Sequence, residues 1–568
     1  MTILPFLVIC FATGAASLLA RRSEKLSTGI GILGLAAAAI AAATIGADDK
    51  LTIGGADLIG SAYLRLFVLL GSIVALLLAL LGLATTSHRY APGVLLGGIG
   101  AAGLALALPD ARIAVIAATA GGLLGILVTI VPPASARGVV VAGRELRALA
   151  IAGVLAILAA AWIARPLEEL AAEPAVFGLA YLGFATAVAI RFGAIPFHFW
   201  AARLADAAPE NTLPLLMAWS PGAFAVVALA WADQSVAPLV LPLSIERALI
   251  VAVGVVSLIL GSLAAWIQDD LEHVVGYTII ADAGIAILGL AALSPAAWEP
   301  ARTWIIVFVM VRSAFAAWAV AVRGAFGTRR IVALGGWVLK APVLALSFGL
   351  IFVAAVSWPG LVAWQARLAL IDLNFDGPFV ILITAGALMQ IVVFGRLLYV
   401  GLSRPSEAVG GGLSERPVWP AAMPRRPMIG RSGRERAFER TSHAVSGAVD
   451  VAWVVPEALR VNRTPIAAVL VLILSGLSLG VASGGLGVPE AARSVPGQDQ
   501  GPGPSQSESP PTEPPATATP PIETESPSVS APPASGGSPL APGSPLASES
   551  PGSSPSSSLQ SPSASPTP

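Results

Sequence analysis

Only three lysines, Lys25, Lys50 and Lys340, stand among the 33 basic residues of this 568-residue chain; the rest are arginine. A single cysteine, Cys10, excludes a disulfide framework or a cysteine-held cluster within one chain. Four histidines, His88, His198, His273 and His443, leave little material for a metal site, and none is expected. Charge of either sign is scarce, 12% in all with a formal net charge of zero, which argues against a nucleic-acid partner. No glycine-rich loop runs into a Lys-Ser or Lys-Thr pair, and no dinucleotide fingerprint follows a strand. No cofactor and no catalytic residue are therefore expected on this chain.

What is abundant is apolar. Hydrophobic residues make up 56% of the sequence, with mean hydropathy +0.81. A soluble domain of this length could not hide so much apolar surface, so the chain reads as a membrane protein. At the amino terminus MTILPFLVICFATGAASLLA precedes RRSEK. The charges follow the apolar run, so it reads as a first membrane helix rather than a cleaved leader.

Apolar runs of about 17–25 residues, the length that crosses roughly 30 Å of hydrocarbon, recur along the chain. They fall near 1–20, 27–46, 63–86, 93–109, 112–132, 148–164, 176–195, 213–232, 243–267, 274–293, 302–322, 340–370, 378–401 and 464–482. This predicts fourteen crossings, with the twelfth interrupted. Alternate connections carry the arginines: Arg21 and Arg22 with Lys25, then His88 and Arg89, then Arg137, Arg144 and Arg147, then Arg323, Arg329 and Arg330. The opposite set holds Asp48, Asp49, Asp110, Glu168, Glu169 and Glu173. The positive-inside rule then puts the arginine side in the cytoplasm and both termini outside.

Five regions follow. Residues 1–109 carry helices one to four, and 110–403 the main membrane core. Residues 404–463 are a basic cytoplasmic connection, with ten arginines against six acids. Residues 464–482 form the last helix, and 483–568 a Pro/Ser/Thr-rich extracytoplasmic tail. That tail has too little apolar surface to offset the entropy of ordering and is expected to be disordered.

One stretch is out of character for a simple crossing: RFGAIPFHFWAARLADAAPE, residues 191–210. Its pattern, a basic residue, four positions, Pro-Phe-His-x-Trp and then Ala-Pro, is carried by Arg191, Pro196, Phe197, His198, Trp200, Ala208 and Pro209. This resembles the antiporter-like membrane subunits of respiratory complex I (NADH:quinone oxidoreductase), a family that includes the Mrp-type cation/proton antiporters. GSLAAWIQDDLEHVVGYTIIADAGIAILGL, residues 261–290, is similar to a second family segment through Gly261, Leu263, Gln268, Asp270, Tyr277 and Gly284. SWPGLVAWQARLALI, residues 357–371, is similar to the family's Pro-Gly element in helix twelve.

The resemblance implies an all-α polytopic fold of about fourteen helices, with two inverted five-helix repeats and broken helices seven and twelve. It implies residence in the bacterial plasma membrane and partners that are other membrane subunits of a complex I-like or antiporter assembly. Protons or monovalent cations would be translocated, coupled to quinone reduction elsewhere in the complex. In the family the ions follow a mid-membrane axis built from a glutamate in helix five and lysines in helices seven, eight and twelve. Here those lysine positions fall on Arg191, Pro221 and Arg367, and no acid lies between Asp110 and Glu145. Arginine stays protonated to about pH 12 and acts as a fixed cation, whereas a buried lysine releases its proton more readily. Two functions therefore stand side by side: a translocating subunit, and a non-conducting scaffold or assembly subunit of the same fold.

An intramembrane ion persists only where it meets a partner, water or a pathway. The pathway candidates are Arg191, His198, Asp282, Arg312 and Arg367, and the helix breaks are expected at Pro196, Pro221 and Pro359. Asp282 reads as the counter-charge of Arg191, or as a helix-end residue wetted at the interface. Asp372 and Asp376 are candidates to face Arg367. Arg312 is either a pathway cation or a structural charge on backbone carbonyls, and His198 either lines the axis or packs as a hydrogen-bonded core residue. Asp270, Glu272 and His273 read as a solvated cytoplasmic loop, and Lys340 as an interfacial anchor. The GGLLG run at 121–125 and the glycines of 254–261 read as helix-packing positions.

Overall fold

A computed structural model describes residues 2–85, 92–127, 136–162, 174–205, 207–208, 210–239, 241–403 and 463–494. Several features expected from sequence fall outside these residues: His88 and Arg89, Glu168, Glu169 and Glu173, Pro209, the connection over 404–462, and the tail from 495 onward.

The chain opens with α1 (Leu4–Leu19) and α2 (Glu24–Ala43), then a hairpin of β1 (Lys50–Ile53) and β2 (Ala56–Ile59). Next come α3 (Ala62–Ala84), α4 (Pro92–Ala107), α5 (Ala111–Gly125), α6 (Ala136–Trp162) and α7 (Pro174–Phe192). A π turn over Leu215–Trp219 leads into α8 (Ser220–Ser235). Then follow α9 (Ser244–Ile267), α10 (Leu271–Ala291) and α11 (Pro295–Phe326). The last part holds α12 (Pro342–Val356), α13 (Val362–Asp372), α14 (Pro378–Ala387), α15 (Gln390–Leu402), α16 (Arg463–Ala482) and the short α17 (Val488–Arg493).

The fold is a helical membrane protein. Among the described residues, eleven helical spans are long and apolar enough to cross a bilayer. Three apolar helices are shorter: α4, α5 and α12, at 16, 15 and 15 residues. At 1.5 Å per residue these reach about 24 Å or less, under the roughly 30 Å of a hydrocarbon core.

Helix starts follow local chemistry. Proline occupies the first turn of α11, α12 and α14, where its missing N–H costs nothing. Ser61 and Asp110 accept from the first-turn amides of α3 and α5. The hairpin, unforeseen in an all-α reading, turns on Gly54 and Gly55, both at positive φ (60° and 87°), as a two-residue turn between antiparallel strands requires. Residues 488–493, assigned from sequence to the tail, form α17, whose Arg493 pairs with Glu299 at 2.9 Å.

Burial is graded. The apolar window of α11 is wholly buried and that of α10 94% buried, against 28% for the N-terminal span. Polar groups on α10 and α11 therefore face protein rather than lipid. The glycines of α9 bring it against α10: a Cβ on Gly284 would collide with the carbonyl of Gly254, and one on Gly261 would lie 2.9 Å from the Ala281 amide. Small residues at such contacts let backbones approach where no hydrophobic force acts between helices.

Candidate functional site

Two charged centres lie inside the helical core. The first is built where α7 ends. Gly193, at φ 63°, turns the chain out of the helix, and the following residues are tied down by side chains. The Trp200 indole donates to the Ile190 carbonyl at 2.9 Å, and the Ile195 amide donates to Ser257 Oγ at 2.9 Å. Backbone groups freed by the interruption thus find partners in protein, as the membrane interior demands.

Arg191, in the last turn of α7, is 1% exposed. Its Nη2 donates to Ser220 Oγ at 2.9 Å and to the Ala118 carbonyl at 3.4 Å, and its guanidinium lies 5.1 Å from the Phe224 ring centre. The group is seated on α5 at Gly122: any Cβ there would collide with the guanidinium. Gly121, beside it, meets the Ala101 side chain, so only part of the GGLLG run serves helix packing. Nε and Nη1 of Arg191 have no hydrogen-bond partner among the described residues, and neither does Oε2 of Glu145. Both residues line one cavity of about 30 Å³, with Gly122, Leu215, Trp219 and Ser220. That is room for about two waters. Glu145 is the acid within electrostatic reach of Arg191.

Glu145 was missed from sequence. It sits between Arg144 and Arg147, which reads as a cytoplasmic loop ahead of a helix over 148–164. In the structure α6 begins at Ala136, so the acid lies well inside it. A signal existed: Val141, Ala142, Glu145, Ala148, Leu149 and Ala152 are all buried at helical spacing, while Arg144 and Arg147 are exposed.

The second centre joins α10, α11 and α15. Arg312, fully buried, holds Asp282 Oδ2 at 2.6 Å. Gln390 completes a ring: its Oε1 accepts from Arg312 Nη2 and its Nε2 donates to Asp282 Oδ1. Asp282 therefore pairs with Arg312, and the Asp282–Arg191 pair expected from sequence does not form. Arg312 is a counter-ion partner on the wholly buried α11, which also sets aside an interfacial position for Asp282. Gln390 was passed over in the sequence, where it is a lone glutamine inside the apolar run over 378–401.

Arg367, on α13, adds a cation beside this centre. Its Nη1 donates to the Val356 carbonyl at 2.9 Å; its Nη2 donates to the Ala355 carbonyl at 3.0 Å and to Ser357 Oγ at 2.9 Å. Val356 ends α12, so the guanidinium satisfies helix C-terminal carbonyls and the negative end of the helix dipole. Its other face lies 4.8 Å from the Trp304 ring, and the Trp304 indole donates to the Asp282 carbonyl at 3.1 Å. Asp372 and Asp376 are exposed and make no contact with it in this arrangement.

The remaining candidates are placed as follows. His198 is half-buried on a short turn, 6.5 Å from the Tyr277 ring, with no hydrogen-bond partner for Nδ1 among the described residues; it does not line the Glu145–Arg191 cavity. Pro196 is exposed in the turn after α7. Pro221 is the second residue of α8, and the chain stays helical across it because the preceding π turn absorbs the missing amide. Pro359 lies between α12 and α13, flanked by Ser357 and Gly360 at positive φ.

A third polar group closes the α9–α10 turn. Glu272, 4% exposed, accepts from Arg323 at 3.3 Å and Arg329 at 2.9 Å, so it is not the solvated residue expected. Asp270 pairs with Arg329 at 3.0 Å, and Asp269 with Arg396 at 3.1 Å. Lys340 is exposed, consistent with an anchor.

A multi-helix membrane core with charged side chains sealed at two interior points defines an ion-handling or assembly class of membrane protein. Comparison with known proteins narrows it. Residues 149–393 match the family model described as NADH:quinone oxidoreductase/Mrp antiporter, transmembrane. The chain is 28% identical over 288 residues to NADH-quinone oxidoreductase subunit N 2 of Solidesulfovibrio magneticus, covering 49% of this chain and 59% of that protein. It is 32% identical over 196 residues to NADH-quinone oxidoreductase subunit M of Mycobacterium tuberculosis, 34% of each. The chain thus spans 34% to 59% of the length of these curated relatives. Its fold is similar to a chain of respiratory complex I from Thermus thermophilus, with TM-score 0.60, 18% identity and coverage of 85% of this chain and 98% of that one. It is likewise similar to a chain of the Mrp complex from Dietzia sp., with TM-score 0.63, 17% identity and coverage of 86% and 95%. Through residues 149–393 the chain is similar to the NADH:quinone oxidoreductase/Mrp antiporter transmembrane family.

Proposed function

We propose that this protein is a membrane subunit of a complex I-like or Mrp-like assembly in the bacterial plasma membrane, and that it moves protons or a monovalent cation. The observation that carries the reading is the Glu145–Arg191 cavity: a carboxyl and a guanidinium, both sealed in the core, each with an unsatisfied atom, share space for water. Glu145 on α6 supplies the titratable group, and Arg191 a fixed positive charge that lines the same cavity. Arginine at the lysine position then means that the cation orients and attracts while the carboxyl carries the proton. Asp282, opposite the fixed charges of Arg312 and Arg367, is the corresponding carboxyl of the second half.

Fourteen crossings with both termini outside belong to the same proposal. Its support is the agreement of the three shorter apolar helices with predicted segments four, five and twelve. The interruptions after α7 and between α12 and α13, each beside a buried arginine, fit two related half-channels with inverted orientation. Partner subunits would supply the redox chemistry.

A scaffold role is the second reading. It draws on the second centre, where Arg312, Asp282 and Gln390 close a ring of hydrogen bonds on one another. Vesicles containing the purified chain, alone and with partner subunits, and a pH-sensitive dye inside, decide between them. Translocation predicts flux under an imposed gradient, reduced to background by Glu145→Gln. A scaffold predicts no flux in any preparation.

A further inference from the structure

We infer that Trp219 is a dry partition between the two charged centres, the residue that keeps a proton held at Glu145 from reaching Asp282. The inference rests on the reading of the Glu145–Arg191 cavity as a proton-carrying site. Trp219 is the last residue of the π turn before α8 and is 4% exposed. One side of it lines the Glu145–Arg191 cavity. Its indole Nε1, on the other side, donates to Ser313 Oγ on α11 at 3.0 Å, and Ser313 follows Arg312 directly. The indole therefore bridges the wall of the first centre to the helix that carries the second.

That bridge cannot pass a proton. Relay along hydrogen bonds needs members that accept one proton while releasing another. An indole N–H is a donor only. Ser313, having accepted from Trp219, spends its own proton on the Val309 carbonyl at 2.6 Å. The hydrogen bonds run one way, from the cavity wall into a backbone acceptor, and stop there.

The ring is also held tightly within the cavity wall, which Phe67 and Gly71 share. The ring packs edge-to-face on Phe67 with centres 4.9 Å apart. It lies over Gly71 so closely that a Cβ there would sit 3.2 Å from Cζ3. A side chain there would press on the ring, and the ring fills the space the glycine leaves. Aromatic and apolar constrictions of this kind stop ions by excluding water.

The partition is also tied to the first centre through its neighbour. Ser220, next in sequence, accepts from Arg191 Nη2 at 2.9 Å. Both residues owe their rotation about the helix axis to the π turn, which Pro221 favours by supplying no amide to the preceding turn. The bond that holds Arg191 therefore also fixes the register that holds the indole across the gap.

The test uses the full-length chain in sealed vesicles with a trapped pH dye, a potassium diffusion potential and an acid step. Trp219→Leu removes the ring but keeps an apolar side chain. It should speed decay of the pH gradient at least about tenfold, equivalent to about 1.4 kcal/mol off the barrier. Adding Glu145→Gln should return the decay to the wild-type rate, because the leak runs through the cavity. Phe67→Leu, which loosens the ring without removing it, should give a smaller leak that also depends on Glu145, and keeps the test available should Trp219→Leu fold poorly. Wild-type tightness in a folded Trp219→Leu or Phe67→Leu protein, or a leak indifferent to Glu145→Gln, overturns the partition. Absence of driven flux in wild-type protein with its partner subunits counts against translocation alone, since the Glu145-dependent leak of the variants would still report the partition.

Discussion

Glu145 on α6 and Arg191 on α7 line the same buried cavity, and each keeps an unsatisfied polar atom there. No direct hydrogen bond joins them; Arg191 spends its bonds on Ser220 and on the Ala118 carbonyl. Charges separated by a small wet space in a low-dielectric core attract strongly yet stay free to exchange solvent partners. Such a pair should be energetically coupled. Glu145→Gln and Arg191→Gln should each destabilise the protein, and the double variant should be less destabilised than their sum. The expected coupling is about 1–3 kcal/mol, as for buried neighbours in one network. Thermal unfolding of the four proteins in detergent measures it; strict additivity would show that the two residues do not sense each other.

Gly122 gives a sharper geometric test. Arg191 occupies the space where a Cβ would stand, so Gly122→Ala must displace the guanidinium from Ser220. Overpacking a close contact costs about 1–3 kcal/mol, and here a buried charge is also pushed off its partners. Gly121→Ala meets only the Ala101 side chain and should cost less. Combining Gly122→Ala with Arg191→Gln should restore part of the loss. Melting temperatures of these variants, with flux under a gradient, provide the comparison.

The buried Asp282–Arg312 pair of the second centre should weigh heavily on stability. Asp282→Asn leaves Arg312 uncompensated on a helix whose apolar window is wholly buried. Breaking a buried pair by removing one partner costs about 3–5 kcal/mol. Gln390→Leu removes a neutral bridge and should cost about 1–3 kcal/mol through the polar groups it orphans. The order Asp282→Asn worse than Gln390→Leu in thermal unfolding is the expected result.

How much of this was legible in the sequence depends on which physics each feature uses. Helix positions follow apolar run length, and most of those runs overlap the observed helices, although α6 begins at Ala136 rather than near 148. Arg191, Arg312 and Arg367 were recognisable as intramembrane cations because charge inside an apolar run is costly. Their partners were not, since pairing is decided by helix rotation and packing. Asp282 meets Arg312 because α10 and α11 present those residues to each other, a relation no spacing along the chain encodes. Glu145 was hidden by two flanking arginines that made a helical stretch look like a loop. Gly122 was read as packing because a seat for a guanidinium and a helix contact ask for the same residue.

At the α9–α10 turn two acids, Asp270 ahead of α10 and Glu272 in its first turn, should respond in opposite ways. Burial is the largest influence on Asp270 and raises its carboxyl above the usual range; Arg329 pulls it down, and Glu272 pushes it further up. A carboxyl that holds its proton more tightly when folded stabilises the fold below its unfolded pKa. That contribution is lost as pH rises through the folded value. Stability should thus fall from about pH 4 upward on account of Asp270, by less than about 1 kcal/mol for a partly exposed pair. Asp270→Asn should flatten this slope and be neutral or stabilising at pH 7. Glu272→Gln should instead lower stability by about 1–2 kcal/mol, because it loses charged hydrogen bonds from Arg323 and Arg329. Unfolding curves across the acid range separate the two.

Arg367 decides whether arginine at the family's lysine positions is interchangeable with lysine. Its planar fork donates to the Val356 and Ala355 carbonyls and to Ser357 Oγ at once, while its face stacks on Trp304. An ammonium is a compact point charge with no stacking face, and a lysine stem from the same position cannot span three acceptors at the end of α12. Arg367→Lys should therefore leave helix C-terminal carbonyls unsatisfied and lower stability by about 1–3 kcal/mol, despite conserving charge. Arg367→Gln, which keeps a donor but loses the cation beside Asp282, should cost at least as much. If Arg367→Lys matches the wild-type melting temperature, the arginine is a neutral replacement. If it does not, α12, Ser357 and Trp304 are built around a guanidinium, and the fixed cation is a designed part of this half of the protein.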